Sequence, residues 1–88
     1  MVNGQNIVQV FPNPIQNQFY IYLRNFAAGT TAFIRLFNSA GQSVYSRKIA
    51  ISNGSEFIDA QVQHLAKGTY ILQVKTGNGI KVVKKVVK

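Results

Sequence analysis

The apolar residues of this chain come in short runs, which turn-forming residues interrupt about every 8–12 positions. The runs are rich in valine, isoleucine and aromatic residues, which favour pleated strands. No segment keeps a sustained helical period. This pattern is typical of a β-sandwich or barrel. It predicts strands at Ile7 to Phe11, Phe19 to Leu23, Ala32 to Phe37, Ser43 to Ile51, Glu56 to Val62, Thr69 to Thr76 and Ile80 to Lys88.

The length of 88 residues suits one domain, and the 47% hydrophobic content suits one modest core. Cysteine is absent from the sequence, which excludes disulfides, thiolate zinc sites and cysteine nucleophiles. We predict an all-β fold, a seven-stranded antiparallel immunoglobulin-like β-sandwich that covers residues 7–88. Residues 1–6 are interpreted as a linker remnant or an added start.

The faces of the predicted strands follow from the alternation of side chains. In the second strand, Phe19 and Leu23 share one face and Tyr20 lies on the other. In the fourth strand the apolar parity changes between Val44 and Ile49. We therefore expect a bulge there that carries the strand from one sheet to the other.

Three turn sequences separate the later strands. Asn53-Gly54 predicts a β-hairpin, because both residue types tolerate the positive φ of a type I′ turn. Gly77-Asn78-Gly79 predicts a second hairpin, and Asn38-Ser39-Ala40-Gly41 predicts a turn.

The chain carries ten Lys and Arg against two acidic residues, a formal charge of +8. Such a charge attracts anionic surfaces but does not choose among nucleic acid, acidic polysaccharide and lipid. The first six residues have neither a basic leader nor an apolar run, so they do not predict a signal peptide. No apolar stretch approaches the ~20 residues of a membrane span.

Few residues are available for catalysis. The candidate acids and bases are Glu56, Asp59 and His64, which lie close together in sequence. We interpret the two carboxylates as solvated charges on a strand face and His64 as a loop residue. One histidine cannot form a multi-histidine metal site, and no glycine-rich phosphate loop opens a helix. We therefore predict no enzyme activity, no catalytic residues, no cofactor and no metal.

The segment Leu65 to Tyr70 has a structural interpretation. In immunoglobulin-like sandwiches, a tyrosine near the start of a late strand bonds through its hydroxyl to the backbone a few residues upstream. We assign this role to Tyr70. Gly68 is expected to let the backbone turn tightly before it, and Leu65 to plug the core.

The last nine residues combine valine with four lysines. Valine favours a half-buried strand, and lysines on an edge strand discourage pairing with foreign strands. A nucleic-acid site would need aromatic side chains among the basic ones, and this tail has none. Arg35 does stand between Phe33 and Phe37, but a strand in a two-layer core predicts the same residues.

Four blocks of the sequence, taken in order, resemble the type A C-terminal sorting domain of proteins exported by the type IX secretion system. The resemblance covers residues 7 to 88 and ends at the last residue. The blocks are Phe11-Pro12-Asn13-Pro14, Leu36 to Val44, Leu65 to Tyr70 and Lys84 to Lys88. Asn38 departs from the family pattern, which often has aspartate before the glycine turn.

The resemblance assigns motif roles position by position. The motif residues are Pro12, Asn13, Pro14, Gly41, Gly68, Tyr70, Lys84, Lys85, Val86, Val87 and Lys88. It implies an N-terminal passenger that reaches the periplasm by its own signal peptide. It also implies recognition by the outer-membrane export machinery, removal by a sortase-like peptidase near or before Asn6, and delivery to the cell surface or the medium. We expect a monomer that presents its last hairpin and terminal strand to a receptor, by strand addition.

Two other functions stay open on the residues alone. An accessory binding module of immunoglobulin or fibronectin type III kind would use exposed tyrosines, such as Tyr20, Tyr22 or Tyr45, against carbohydrate or protein. A basic nucleic-acid binder would show an affinity that falls steeply with salt. We expect neither nucleic acid as a partner nor an integral membrane segment.

Overall fold

The predicted strands are all present. A computed structural model describes residues 6–12, 14–52 and 54–88, and these residues form seven strands and no helix. Each strand end lies within one residue of its predicted position. The strands are β1 (Ile7–Phe11), β2 (Gln18–Arg24), β3 (Thr31–Phe37), β4 (Ser43–Ala50), β5 (Glu56–Gln61), β6 (Thr69–Thr76) and β7 (Lys81–Val87).

The strands form two sheets in which all neighbours are antiparallel. The order in the three-stranded sheet is β1-β2-β5, and the order in the four-stranded sheet is β4-β3-β6-β7. The fold is an all-β sandwich of seven antiparallel strands, as the turn spacing predicts. Its edge strands are β1 and β5 in one sheet and β4 and β7 in the other.

The core lies between the two sheets and is built from alternate positions of each strand. Phe19, Ile21 and Leu23 of β2 and Ile34 and Leu36 of β3 are all fully buried. Burial of a side chain of this size contributes about 1.5–3 kcal/mol. The period of two in the sequence therefore matches the observed inner face.

The fourth strand does not pass between sheets, so that prediction is wrong. β4 pairs only with β3, over its whole length. A bulge is present at Val44, where Leu36 pairs with Tyr45 and Phe37 pairs with Ser43. The change of sheet follows the strand, where the Ile51 N–H donates to the Thr30 carbonyl at 2.9 Å and the Ile51 side chain is buried.

The predicted hairpin at Asn53-Gly54 is also wrong. β4 and β5 lie in different sheets, so the connection between them crosses the sandwich. Asn53 lies outside the described residues. Gly54 has a φ of 88°, and a Cβ there would lie 3.1 Å from the Phe26 carbonyl oxygen. A connection between sheets can require the same left-handed glycine as a hairpin, and local sequence does not distinguish the two.

The second predicted hairpin is confirmed, because β6 and β7 pair in one register from Thr69↔Val87 to Lys75↔Lys81. The buried Thr76 closes its turn. The Thr76 N–H donates to the Ile80 carbonyl at 2.8 Å, and the Thr76 hydroxyl bonds to the Asn78 side chain. Gly79 supplies the positive φ, at 93°.

The connections between consecutive strands lie alternately at the two ends of the sandwich. A hydrogen bond from the Ile15 N–H to the Val87 carbonyl places the end of β1 beside the end of β7. With antiparallel neighbours throughout, the connections after β1, β3 and β5 then lie at this end, together with Lys88. We call it the C-terminal end. Asn6 and the connections after β2, β4 and β6 lie at the opposite end.

Candidate functional site

The terminal block of the motif lies on an edge strand, as its valine and lysine pattern predicts. Among the described residues, β6 is the strand neighbour of β7. Lys84 and Lys85 are exposed, whereas Val86 is buried in the core. The block therefore has an anchoring residue and two accessible cations, which leave the strand on opposite faces.

Within the described ranges of the chain, the outer edge of β7 has no hydrogen-bonded partner strand. Lys88 and Gly68 exchange two hydrogen bonds, at 2.9 and 3.2 Å. In an antiparallel ladder the bonding residues alternate, so the amides of Val83 and Lys85 are directed away from β6. The Val87 carbonyl on this edge accepts from Ile15 at 2.8 Å. A partner strand would therefore meet the edge at residues 81–85.

Lys88 differs from the other terminal lysines. Its ammonium group donates to the carbonyls of Val62 and Leu65, both at 2.6 Å. It thus satisfies two carbonyl groups in the connection between β5 and β6. Lys88 fastens that connection, and Lys84 and Lys85 are the cations free to meet a partner.

Tyr70 has the corner geometry that the sequence predicts. Its ring is buried, and its hydroxyl donates to the Ala66 carbonyl at 2.5 Å. Leu65 packs against the core from the same connection, also as predicted. Tyr70 and Lys88 together hold three carbonyls of residues 62–66.

Gly68 lies in a bend directly before β6, so the chain turns where the sequence predicts. Its φ is not among the positive values, and a Cβ at this position would meet no atom within 4 Å. The tight turn before Tyr70 is therefore not made by a left-handed glycine. What Gly68 supplies is the backbone pairing with Lys88.

The turn before β4 is built around Asn38. Its side-chain oxygen accepts from the amides of Ala40 and Gln42, both at 3.0 Å. Gly41 has a φ of 82°, which favours glycine. Asparagine thus does what an aspartate would do here, so the departure from the family pattern leaves the turn intact.

The opening block lies at the C-terminal end as well. Pro12 and Pro14 are exposed, and Asn13 lies outside the described residues. The residue that follows them, Ile15, is buried, and its N–H bonds to Val87. Sequence reasoning missed Ile15, although a single isoleucine among proline, glutamine and asparagine was a signal for an anchor.

All four blocks of the motif therefore lie toward one end of the sandwich, where the first, third and fourth contribute residues to a shared groove. Between the opening and terminal blocks lies a groove of about 460 Å³. We call it the terminal groove. It is lined by Pro14, Ile15, Gln16, Asn17, Lys67, Val87 and Lys88.

The two candidate carboxylates lie apart from this groove and have structural partners, and His64 is an exposed residue of the connection between β5 and β6. Glu56 accepts from the backbone amide and the hydroxyl of Ser52, both at 3.1 Å. Asp59 accepts from Gln18 and Gln61, at 2.7 and 3.2 Å. Over the residues that the structure describes, no three His, Cys, Asp or Glu side chains form a group able to hold a metal ion.

The tyrosines of the alternative binding module are half-buried rather than exposed. Tyr45 packs against the core. Tyr20 stacks on Phe57, with ring centroids 5.2 Å apart, and Arg24 lies over the ring of Tyr22 at 6.0 Å. These rings mainly cover one another, which limits the surface they offer to a ligand.

No helix long and apolar enough to cross a membrane occurs in the described part of the chain.

Comparison with known proteins identifies the family of the chain. The family described as "Secretion system C-terminal sorting domain" matches residues 9–88. A solved structure of a DUF3244 family protein from Bacteroides vulgatus ATCC 8482, with an immunoglobulin-like β-sandwich fold, superposes with a TM-score of 0.64. The two chains are 19% identical, and the match covers 96% of this chain and 97% of the other. This likeness shows the fold alone. No match was found among curated proteins.

Proposed function

Because this chain belongs to the family of secretion system C-terminal sorting domains, which serve type IX secretion, we propose that it carries a passenger protein from the periplasm across the outer membrane. The passenger precedes Ile7 and enters the periplasm by its own signal peptide. A sortase-like peptidase then removes the domain by cleavage near or before Asn6. Membership of the family implies export to the cell surface or the extracellular space.

The observation that supports a specific recognition site is that all four motif blocks lie toward the C-terminal end and three of them line the terminal groove. Tyr70 and Lys88 hold the connection between β5 and β6, and Ile15 holds the end of β7. These contacts present Lys84, Lys85 and the open edge of β7 on a rigid support. The export receptor binds this surface, and the cations orient it.

The position of Asn6, the first residue that the structure describes, suits this role. Asn6 lies at the opposite end of a molecule about 40 Å long, where its side chain donates to the Asn25 carbonyl at 2.8 Å. A passenger attached there leaves the terminal groove open to a receptor. Cleavage near Asn6 also leaves the motif blocks untouched.

The proposal is tested with a fluorescent protein that has a periplasmic signal peptide and is fused in front of this chain. We expect the fusion to reach the surface or the medium of a bacterium that has a type IX system, and to stay in the periplasm when the system is deleted. Deletion of residues 84–88 should trap it. That deletion also removes the buried Val86, so a milder variant is needed to separate recognition from stability.

The decisive variant is Lys84→Gln/Lys85→Gln, because both side chains are exposed. We expect it to fold and to be exported at least tenfold less than the parent fusion. The control is Arg24→Gln/Arg47→Gln, which removes the same charge away from the terminal groove and should be exported normally. Because Arg47 also donates to the Asp59 carbonyl at 3.0 Å, thermal denaturation confirms that this variant is folded. Equal export of both variants would contradict the proposed recognition surface. Periplasmic retention of the intact parent fusion would contradict the sorting function and favour the accessory binding module.

A further inference from the structure

The outer face of the four-stranded sheet is strongly cationic. Side chains at alternate positions of its strands point away from the core. Five of these are exposed cations, with at least one from each strand. They are Arg35, Lys48, Lys75, Lys81 and Lys85. We call this surface the cationic face.

The charges on this face repel one another without compensation. Lys75 and Lys81 are direct cross-strand partners, a placement of like charges that destabilises a sheet. Both carboxylates of the chain, Glu56 and Asp59, are on β5 in the other sheet. Neither carboxylate therefore offsets the repulsion between Lys75 and Lys81, and an external anion would relieve it.

Apolar side chains lie among the cations. Phe33, Ile71, Val83 and Val87 belong to the same face and are between 37% and 52% exposed. The Lys48 ammonium lies 5.8 Å from the centre of the Phe33 ring. Next to Phe33 and Arg35 a depression of about 430 Å³ opens toward the β6–β7 turn. Cations and apolar groups are thus mixed on one surface.

This mixture favours one kind of partner. A nucleic acid would need several rings on which bases can stack, and three of the four exposed apolar side chains are aliphatic. A soluble acidic polysaccharide would pair with the cations but would not bury the exposed isoleucine and valine side chains. An anionic lipid surface uses both features, since its phosphates pair with lysines and its interfacial region accepts short apolar side chains.

We propose that the cationic face docks on the surface of a membrane that contains anionic phospholipid. The phosphate groups contact Lys75 and Lys81 across the β6–β7 pair. Phe33 and Val83 enter the interfacial layer beside them. Docking requires neither the export machinery nor a passenger.

The test is co-sedimentation of the 88-residue chain with lipid vesicles at moderate salt. We expect binding to vesicles of phosphatidylcholine with about one third phosphatidylglycerol and little binding to phosphatidylcholine alone. Lys75→Gln/Lys81→Gln is expected to lower the affinity on the order of thirtyfold, since each lysine near an anionic surface contributes roughly fivefold. This variant removes a repulsive pair, so thermal denaturation should show it to be at least as stable as the parent.

The control Arg24→Gln/Arg47→Gln has the same net charge and leaves the cationic face intact. It should keep most of the parent affinity. Equal loss in both double variants would show that net charge alone drives binding and would overturn the proposal. Equal binding to both kinds of vesicle would overturn it as well. The lipid assignment would also be wrong if duplex DNA or a soluble acidic polysaccharide bound more tightly than the vesicles, with the same loss in Lys75→Gln/Lys81→Gln.

Discussion

The outer faces of the two sheets both carry large apolar side chains, but these side chains have different neighbours on the two faces. On the three-stranded sheet, Phe57 lies between Phe11, Tyr20 and Tyr22, with ring centroids 5.2–6.2 Å apart. The aromatic side chains there contact one another, although Phe57 and Phe11 remain 58% and 40% exposed. On the four-stranded sheet, exposed apolar groups are separated by cations that repel one another. One face is stabilised by its own contacts, and the other is left for a partner.

This difference follows from the cross-strand pairs. Tyr22 lies opposite Phe57 in the register of β2 and β5, and aromatic pairs of this kind stabilise a sheet. Phe33 lies between Lys48 and Lys75. The large side chains therefore contact one another on the three-stranded sheet, whereas on the four-stranded sheet they lie between cations and are available to a partner.

The largest expected effect comes from Phe57→Ala. Although Phe57 is 58% exposed, the substitution removes three ring contacts. We expect the free energy of unfolding to fall by about 2 kcal/mol. Urea denaturation followed by tyrosine fluorescence measures this change. A loss below that of Phe33→Ala would show that the aromatic face is not held by its own rings.

A smaller effect of opposite sign is expected from Lys81→Glu. The new carboxylate would face Lys75 across the ladder and replace repulsion with attraction. We expect stability to rise by up to about 1 kcal/mol at low ionic strength and the gain to shrink in salt. Thermal melts at two salt concentrations measure it, with Lys81→Gln as the variant that only removes the repulsion. A melting temperature that falls, or that rises equally in both variants, would show that attraction between residues 75 and 81 does not stabilise the sheet.

The smallest effect is expected from Phe33→Ala. The Phe33 ring is 38% exposed, and the Lys48 ammonium makes a cation–π contact with its face. Such a contact contributes about 0.5–1 kcal/mol at an exposed site, so the loss of stability should be less than about 1 kcal/mol. The same denaturation assay applies. A loss as large as that of Phe57→Ala would remove the contrast between the two faces.

Several parts of the candidate site were predictable from local sequence. The corner role of Tyr70, the turn at Asn38 and the edge position of β7 all follow from residue types at fixed offsets. The partners of Lys88 did not follow, because the carbonyls of Val62 and Leu65 lie 26 and 23 residues away in the chain. Contacts across such separations depend on how the sheets pack, which no local pattern encodes.

The sequence by itself determined the strands, their inner faces and the turn between β6 and β7, because alternation and turn chemistry act between neighbouring residues. Only the tertiary structure decided which strands share a sheet. The connection at Gly54 shows why: a left-handed glycine is required both in a hairpin and in a crossing between sheets, and long-range packing chooses between them. The same choice placed both carboxylates on one sheet and left the other with its cations unpaired.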